Sequence, residues 1–229
     1  MTEITEKILA CCIDHTLLTP HAQQNQIEQL CTEAIEYKFC SVCINPRWVV
    51  FAADKLYDTD VNVVTVISFP LGADSTKTKI AQAKEAIFAG ADEIDVVADI
   101  SAIVTGDSRY LLAQLQGILK VCKAMKPNVI TKVIIESAAL EWEQKLFACK
   151  VAQRAGFDFI KTSTGMHSAG GATAEDVKLI KETAPSCKVK ASGGIKTASD
   201  AIAMLNAGAE RIGTSSSVEI ITQFRAGQV

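Results

Sequence analysis

The sequence predicts an α/β protein in which eight β/α units close into one barrel, preceded by a short N-terminal helix. Short apolar runs rich in valine and isoleucine recur roughly 20–40 residues apart, which is typical of parallel strands covered on both faces. The segments between these runs have helical periodicity. No linker or change of composition divides the 229 residues, so we expect a single domain over residues 1–229. An open, doubly wound sheet is the alternative.

Each apolar run is predicted to form one strand of the barrel. In chain order the runs are ACCID (10–14), FCSVCIN (39–45), VNVVTVISF (61–69), DEIDVV (92–97), VITKVIIE (129–136), FDFIKT (157–162), KVKAS (188–192) and RIGTS (211–215). The intervening segments are predicted helices. In residues 75–90, for example, Ile80, Ala83, Ala86 and Ile87 fall on one side of a helix.

A short quasi-repeat marks three of the junctions between helix and strand. It reads AGADEIDV (89–96), AGFDFIKT (155–162) and AGAERIGT (207–214), each with a glycine where a helix should end. Glycine suits the left-handed conformation that commonly ends helices. At the other end of a helix, Thr173 and Thr197 are predicted N-caps, each followed by an acidic residue in the first turn.

Composition and charge narrow the function classes. The formal charge of −3 is small and evenly scattered, so neither nucleic acid nor a membrane surface is expected as a partner. The N-terminal segment MTEITEKILACC carries acids where a signal peptide has a basic start, so we predict a cytoplasmic protein. Its eight cysteines are then expected to be free thiols. Cys40 and Cys43 form a C-x-x-C motif. Because positions three apart on a strand face opposite sides, the two sulfur atoms are not expected to bind one metal ion or each other.

Two lysines in matching sequence contexts are the main candidates for catalysis. Lys161 in FIKTSTG and Lys190 in VKASGG each follow a short apolar run and precede a turn rich in serine and glycine. If the sixth and seventh strands are neighbours in register, the two ammonium groups could lie within about 4–6 Å. A neighbouring cation and partial desolvation lower a lysine pKa from about 10.4 and favour a neutral, nucleophilic amine. Alternatively, each lysine reaches solvent. Lys188 is expected at the opposite rim of the barrel.

Small residues after the last three strands predict a phosphate site at the mouth. Their backbone N–H groups can converge on an anion without obstruction by side chains, and many barrels hold a phosphate in these loops. The alternative is that they only form turns. The predicted phosphate-binding residues are Gly165, Gly193, Gly194, Gly213, Ser215 and Ser216.

Acidic residues near the predicted mouth complete the candidate site. Asp95 lies inside the apolar run EIDVV, where a carboxylate needs a cationic or hydrogen-bonded partner. It could form a structural ion pair or relay protons to a nucleophilic amine. Lys132 would share the interior with Asp95 if the strands align. Asp14, His15 and Thr16 end the first predicted strand and could bind substrate hydroxyls or simply turn the chain.

Two other kinds of chemistry find little support in the sequence. The three histidines have no H-x-H or H-E-x-x-H spacing, so no metal site is expected. No G-x-G-x-x-G follows a predicted strand, so no dinucleotide cofactor is expected either.

Nine short stretches together resemble one family over about residues 8–220. They are IDHTLL (13–18), SVCINP (41–46), FPLG (69–72), GADEIDVV (90–97), KVIIE (132–136), IKTSTG (160–165), GGAT (170–173), KASGGIKT (190–197) and RIGTSS (211–216). The chain resembles the deoxyribose-phosphate aldolases, class I aldolases on a TIM barrel. The resemblance implies reversible cleavage of 2-deoxy-D-ribose 5-phosphate to D-glyceraldehyde 3-phosphate and acetaldehyde, without a cofactor or metal, and a homodimer.

The resemblance also implies roles for individual residues. Lys161 would form the Schiff base, and Lys190 would be the neighbouring cation that favours its neutral form. Asp95 would shuttle protons with Lys190 through a water molecule, supported by Lys132. The residues implied to bind substrate are Asp14, Thr16, Cys43 and Thr162.

The sequence departs from the family pattern at three places. VVADIS (96–101) adds a carboxylate, Asp99, which could shift the titration of the lysines. The loop GMHSAGGAT is one residue longer than the common form and carries Met166 and His167 where some members have lysine or phenylalanine. The end FRAGQV lacks the terminal tyrosine of some members, so proton transfer is expected to rely more on water.

Two other functions are compatible with the same fold. A catalytically silent barrel would bind a sugar phosphate without cleaving it. A metal-free phosphosugar isomerase or epimerase would use Asp95 as its base and would not need Lys161.

Overall fold

Strands and helices alternate along the chain. The structure, a computed structural model, describes residues 4–228, and these residues form eight strands and ten α-helices. The strands are β1 (Ile13–Leu17), β2 (Ser41–Ile44), β3 (Asn62–Ile67), β4 (Glu93–Val97), β5 (Ile130–Ile134), β6 (Phe159–Lys161), β7 (Lys188–Ser192) and β8 (Arg211–Thr214). The helices are α1 (Glu6–Cys11), α2 (Gln24–Tyr37), α3 (Val49–Lys55), α4 (Thr76–Phe88), α5 (Ile100–Val104), α6 (Ser108–Met125), α7 (Trp142–Ala155), α8 (Ala174–Thr183), α9 (Ala198–Asn206) and α10 (Ser217–Arg225).

The strands form a closed parallel barrel. Each strand pairs in parallel with the next in sequence, and β8 pairs with β1 to complete the ring. The predicted (β/α)8 barrel with a short N-terminal helix is therefore confirmed, and the open sheet is excluded. All eight apolar runs contain or overlap a strand.

The first strand begins later than predicted. Residues 10 and 11 of the run ACCID belong to α1, and β1 starts at Ile13. Thr5 caps α1 by accepting a hydrogen bond from the N–H of Ile8, and Leu9 and Ala10 are buried on the helix. Burial of this short amphipathic segment outweighs the strand propensity of its apolar residues.

The helix boundaries follow the predicted capping residues. Thr173 and Thr197 cap α8 and α9, because each side chain accepts a hydrogen bond from a backbone N–H in the first turn. Gly156 ends α7 with φ of 96°, a left-handed conformation that favours glycine. Helix α4 buries Ala83, Ala86 and Ile87 as predicted, and it also buries Lys79.

Apolar residues fill two regions of the molecule. The larger cluster lies between the barrel and its helices, as expected for parallel strands covered on both faces. A second, small cluster contains Leu18, Cys43, Val64 and Val66, against which Phe69 packs. It lies inside the barrel, because in-register partners on parallel strands point the same way and Val66 is the partner of Asp95. One side of the barrel interior is thus apolar.

Two further findings concern membrane insertion and the state of the cysteines. Within the part of the chain that the structure describes, none of the helices is long and apolar enough to cross a membrane. The eight cysteines are free thiols, of which Cys43 is buried and Cys40 is half-buried just before β2.

Candidate active site

The register of the strands brings the candidate charged residues together inside the barrel. Lys161 on β6 is the in-register partner of Lys190 on β7, and Asp95 on β4 is the partner of Lys132 on β5. Parallel in-register residues face the same side of the sheet. Since Lys161 and Lys190 both reach Asp95 across the closed barrel, that side is the interior. The matching motifs of the two lysines therefore correspond to matching positions on neighbouring strands.

One carboxylate connects all three lysines. Oδ1 of Asp95 accepts a hydrogen bond from Lys132 Nζ at 2.7 Å. Its Oδ2 accepts hydrogen bonds from Lys161 Nζ at 2.9 Å and from Lys190 Nζ at 2.7 Å. Lys161 is 3% exposed, and the other three side chains are 0% exposed. The structure thus places the two lysine nitrogens close together on one shared oxygen.

A second group of polar side chains lies deeper in the barrel. Lys190 Nζ lies 2.5 Å from Asp14 Oδ2. Arg211 donates from Nε to Asp14 Oδ1 at 2.7 Å and from Nη1 to Glu93 Oε1 at 3.1 Å. Glu93 Oε2 in turn lies 2.5 Å from Lys132 Nζ. The seven charged side chains therefore form one continuous buried network.

Sequence reasoning missed Arg211, Glu93 and the neighbouring Ser41, whose hydroxyl donates to Asp14 Oδ1 at 2.7 Å. The alternation of side chains along a strand could have indicated them, because each of the three residues stands two positions before a predicted site residue. On a strand, such positions face the same side one level deeper.

Electrostatics fix the charge of most members of this network. Burial alone would raise the pKa of Asp95, but Lys132, Lys161 and Lys190 outweigh it and hold that pKa well below its usual range. Burial likewise opposes ionisation of Asp14, yet Arg211 and Lys190 lower its pKa. For Lys190, burial would lower the pKa, but Asp14 and Asp95 raise it above its ordinary value. Lys190 is thus held as an ammonium ion.

A cavity of about 270 Å³ opens above Lys161 at the carboxyl ends of the strands. Its wall includes Lys161, Thr16 and five of the six residues predicted to bind phosphate, which are Gly165, Gly193, Gly194, Gly213 and Ser215. Lys196 also lines it and adds a cation that sequence reasoning missed. The cavity therefore joins the lysine to the small residues of the loops that follow the last three strands.

The other candidate residues lie outside the cavity wall. Ser216 is the N-cap residue of α10, and its N–H donates to Thr214 Oγ1 at 3.0 Å. The hydroxyl of Thr162 donates to the carbonyl of Ser192 at 3.1 Å and accepts from the N–H of Ser192. Asp14 and Cys43 are fully buried below the cavity. Burial raises the pKa of the Cys43 thiol, which therefore stays protonated at neutral pH.

Glycine backbones hold the two mouth loops against each other. Gly171 packs so closely on the loop after β7 that a Cβ atom there would lie 2.1 Å from the carbonyl oxygen of Gly193. The N–H of Ala172 donates to that same oxygen at 3.0 Å. At Gly213, a Cβ atom would lie 3.1 Å from Cε of Lys190. Besides lining the cavity, Gly213 therefore leaves room for the Lys190 side chain.

Glu136 anchors the loop that follows Lys161. It ends the fifth apolar run with φ of 55° and ψ of 54°, a left-handed conformation that is uncommon for a glutamate. Its carboxylate accepts hydrogen bonds from the N–H of Thr164 at 3.2 Å and from the Thr164 hydroxyl at 2.6 Å. The Thr164 hydroxyl also accepts from the N–H of Met166 at 3.1 Å. The backbone conformation of Glu136 thus aims a carboxylate at a loop that lines the cavity.

His15 does not lie at the mouth, so the possibility that it binds substrate hydroxyls there is wrong. Alternation along β1 directs it away from the interior that holds Asp14. Its Nε2 lies 2.8 Å from Glu33 Oε2, and its Nδ1 lies 2.9 Å from Ser217 Oγ. Burial lowers the pKa of His15 despite the Glu33 carboxylate, so the imidazole is neutral at pH 7. The side chain links the barrel to its outer helices.

The departures from the family pattern take defined places. Asp99 caps α5 by accepting a hydrogen bond from the N–H of Ala102 at 3.0 Å, and the lysine whose pKa it influences is Lys79. Met166 is 47% exposed and lines the cavity, whereas His167 is exposed and accepts a hydrogen bond from the N–H of Ala169. The terminal residue of FRAGQV lies outside the described residues.

The last two observations concern the position of Lys188 and possible metal ligands. Lys188 stands at the start of β7 with its side chain 60% exposed and Nζ 3.8 Å from Glu210 Oε2, at the end of the barrel opposite to the cavity. Among residues 4–228, no group of three or more histidine, cysteine, aspartate or glutamate side chains is placed to hold a metal ion.

Comparisons with known proteins agree with this geometry. The family model described as DeoC/LacD family aldolase matches residues 8–222. The deoxyribose-phosphate aldolase of Thermoanaerobacter sp. (strain X514) is 48% identical over 217 residues, which cover 94% of this chain and 96% of that protein. That of Caldicellulosiruptor saccharolyticus is 48% identical over 221 residues, covering 96% of this chain and 100% of that protein.

A solved structure is similar over almost the whole fold. The tetrameric deoxyribose phosphate aldolase of Aeropyrum pernix superposes with a TM-score of 0.90 at 32% identity and covers 97% of this chain and 93% of that chain. The match of the family model over nearly the whole length, together with the identity to full-length relatives, shows the family. The chain belongs to the DeoC/LacD family of aldolases.

Proposed function

We propose that this aldolase reversibly cleaves 2-deoxy-D-ribose 5-phosphate to D-glyceraldehyde 3-phosphate and acetaldehyde, through a Schiff base on Lys161. The curated relatives carry the name deoxyribose-phosphate aldolase, which supports this substrate. A homodimer stays a prediction that only the family resemblance implies.

The observation that carries the assignment is the difference between the two paired lysines. Lys161 lines the cavity, where a substrate carbonyl can reach it, and it shares the Oδ2 atom of Asp95 with Lys190. Lys190 is 0% exposed, and carboxylates of both Asp14 and Asp95 contact its nitrogen. An amine must be accessible and neutral to attack a carbonyl. The geometry therefore favours Lys161 as the nucleophile and Lys190 as the ammonium group beside it.

The reaction follows from this arrangement. Neutral Lys161 Nζ attacks C1 of the open-chain sugar, and loss of water gives a protonated imine. Removal of the proton from the C3 hydroxyl lets the C2–C3 bond break, and the imine takes up the electron pair as an enamine. D-Glyceraldehyde 3-phosphate leaves, C2 is protonated, and hydrolysis releases acetaldehyde and regenerates the amine. The protonated imine is the electron sink, so we expect no cofactor.

Asp95 and Lys190 are placed to move protons during these steps. Asp95 Oδ2 lies between the two lysine nitrogens, while Lys132 holds Oδ1 at 2.7 Å and fixes the carboxylate plane. A water molecule in the cavity beside Lys161 can then exchange protons with this pair. A positioned proton shuttle contributes about 10²–10⁴-fold to the rate.

The mouth supplies binding and orientation. Backbone N–H groups of Gly165, Gly193, Gly194 and Ser215, with the ammonium group of Lys196, suit the phosphate at the far end of the sugar. Thr16 lines the same cavity, and its hydroxyl donates to the carbonyl of Asp14, which leaves its oxygen free to accept from a substrate hydroxyl. Binding energy at the phosphate orients the distant carbonyl against Lys161.

The test is cleavage of 2-deoxy-D-ribose 5-phosphate, followed by NMR detection of both aldehyde products, with Lys161→Leu and the surface variant Lys181→Met as a matched pair. We expect cleavage by the wild type and by Lys181→Met, and none by Lys161→Leu. Binding without cleavage in the wild type would indicate a silent barrel instead. Conversion of the sugar phosphate to an isomer without cleavage, retained in Lys161→Leu, would indicate an isomerase or epimerase with Asp95 as base, although Asp95 lies below the cavity wall.

A further inference from the structure

Arg211 lies at the floor of the barrel and takes no direct part in the proposed chemistry. It is 6% exposed. Besides its hydrogen bonds to Asp14 and Glu93, its Nη2 donates to Ser41 Oγ at 3.1 Å. A guanidinium group does not lose its proton in a protein. Arg211 is therefore a fixed positive charge inside the network that contains the reactive amine.

The network contains an unequal number of charges. Among residues 4–228, its cationic members are Lys132, Lys161, Lys190 and Arg211, and its anionic members are Asp14, Glu93 and Asp95. When every group is ionised, one positive charge is in excess. An uncompensated charge in a buried site is unfavourable, and the loss of one proton from one lysine balances the network.

The contacts show which lysine loses the fewest ion pairs when it gives up its proton. Within the described residues, Lys190 contacts the carboxylates of Asp14 and Asp95, and Lys132 contacts those of Glu93 and Asp95. Among residues 4–228, Lys161 contacts the carboxylate of Asp95 alone. A neutral Lys161 therefore breaks the smallest number of ion pairs.

The thiols near the network and Lys188 do not change this count. Burial raises the pKa of Cys40 to about 11 and also raises the pKa values of Cys12 and Cys43, so these thiols are uncharged at neutral pH. Lys188 stands at the far rim, largely in solvent beside Glu210. The balance is thus decided by the seven buried charges.

We propose that Arg211 is a positioning residue that sets the pH at which the reactive amine becomes available, by supplying the fixed positive charge that the buried carboxylates leave unbalanced. The inference rests on the proposed role of Lys161 as the reacting amine. It adds to the effect of Lys190, whose nitrogen contacts the carboxylates of Asp14 and Asp95. Arg211 acts through Asp14 and Glu93, whose carboxylates it shares with Lys190 and Lys132.

The experiment compares four variants with the wild type. Arg211→Met removes a positive charge, Glu93→Gln removes a negative charge, and the double variant removes both and restores the excess of one. Arg211→Lys keeps the charge but loses the planar fork. For each protein, the yield of borohydride-reduced acetaldehyde adduct on Lys161 and kcat/KM for 2-deoxy-D-ribose 5-phosphate are measured between pH 5 and 10.

The expected readout is the acidic limb of these pH profiles. Fewer positive charges make the lysines hold their protons more tightly, so Arg211→Met moves the limb to higher pH. Glu93→Gln moves it to lower pH. Each shift is on the order of one pH unit. The double variant and Arg211→Lys return the limb to near its wild-type position. A purely structural role for Arg211 would lower the plateau of the profile and leave the limb in place.

The inference is overturned if the limb of Arg211→Met stays at the wild-type pH, or if the double variant shifts as far as Arg211→Met. Should Arg211→Met fail to fold by circular dichroism, Glu93→Gln decides: a shift to lower pH supports the inference, and an unchanged limb overturns it. Failure of the proposed function looks different, because then the wild type itself gives no cleavage. If Lys161 of the wild type also takes no label, the inference fails with it.

Discussion

Replacing Asp95 with asparagine removes one negative charge and leaves the shape of the side chain unchanged. Asp95 is fully buried and accepts hydrogen bonds from three lysines at 2.7, 2.9 and 2.7 Å. An asparagine can accept through one oxygen only, so at least one lysine nitrogen loses its partner and the positive charges of the lysines are left without the Asp95 carboxylate. We expect both the stability and the chemistry of the barrel to suffer.

The size of the loss follows from the burial of the network. Removing one partner of a buried ion pair costs about 3–5 kcal/mol, since the remaining charge is left uncompensated. For a domain of this length, 1 kcal/mol corresponds to about 2–4 °C in Tm, so we expect a fall of roughly 6–20 °C for Asp95→Asn at pH 7. Loss of the proton shuttle should lower kcat by about 10²–10⁴-fold.

The stability lost in Asp95→Asn is expected to depend on pH. The pKa of Asp95 lies well below its ordinary value of 3.8 in the folded protein. Its stabilising contribution is therefore fully present above about pH 4 and is lost as the pH falls toward the folded-state pKa. The difference in unfolding free energy between the wild type and Asp95→Asn should accordingly be largest near neutral pH and shrink in acid.

Thermal and urea unfolding, with the cleavage assay, measure these quantities. Asp99→Asn is the matched control, because it makes the same chemical change four residues later at the N-cap of α5, where aspartate and asparagine are nearly equivalent. The reasoning is refuted if Asp95→Asn melts within about 2 °C of the wild type. Cleavage at near the wild-type rate would refute the proposed shuttle.

Three smaller predictions follow. Gly213→Ala places a Cβ atom 3.1 Å from Cε of Lys190, so kcat should fall on the order of tenfold with a modest change in KM, and steady-state kinetics measure both. Thr164→Val removes the hydroxyl that donates to Glu136 at 2.6 Å, so urea unfolding should show a loss of about 1–3 kcal/mol that Thr164→Ser largely avoids. Burial lowers the pKa of Lys79 to about 8, so the wild type binds fewer protons folded than unfolded between pH 8 and 10.5. Its stability relative to Lys79→Met should rise by about 2–3 kcal/mol over that range, and a flat difference would contradict the assignment.

Much of the fold was predictable because its rules are local. Apolar runs of valine and isoleucine correspond to the barrel strands, and the capping threonines and glycines mark the helix ends. Lys161 and Lys190 occupy matching positions in their two motifs, which predicted that they would be partners in register. The error at β1 arose where two elements meet, since Ala10 and Cys11 begin the apolar run ACCID and also end α1.

The connections across the barrel could not be read from the sequence. Asp95 is 66 residues from Lys161 and 95 from Lys190 along the chain, and only closure of the barrel brings their side chains to one oxygen. Arg211 is further still from its partner Asp14, at a separation of 197 residues. Sequence alternation could have shown that Arg211 and Glu93 face inward, but not which charges they would meet.

The central claim is that Lys161 is the amine that bonds covalently to the aldehyde. Incubation of the wild type with acetaldehyde, reduction with borohydride and peptide mapping by mass spectrometry test it directly. We expect an ethyl group on Lys161, in the peptide that contains FIKTSTG, and none on Lys190. A label on Lys190, on other lysines only, or on no lysine would contradict the account.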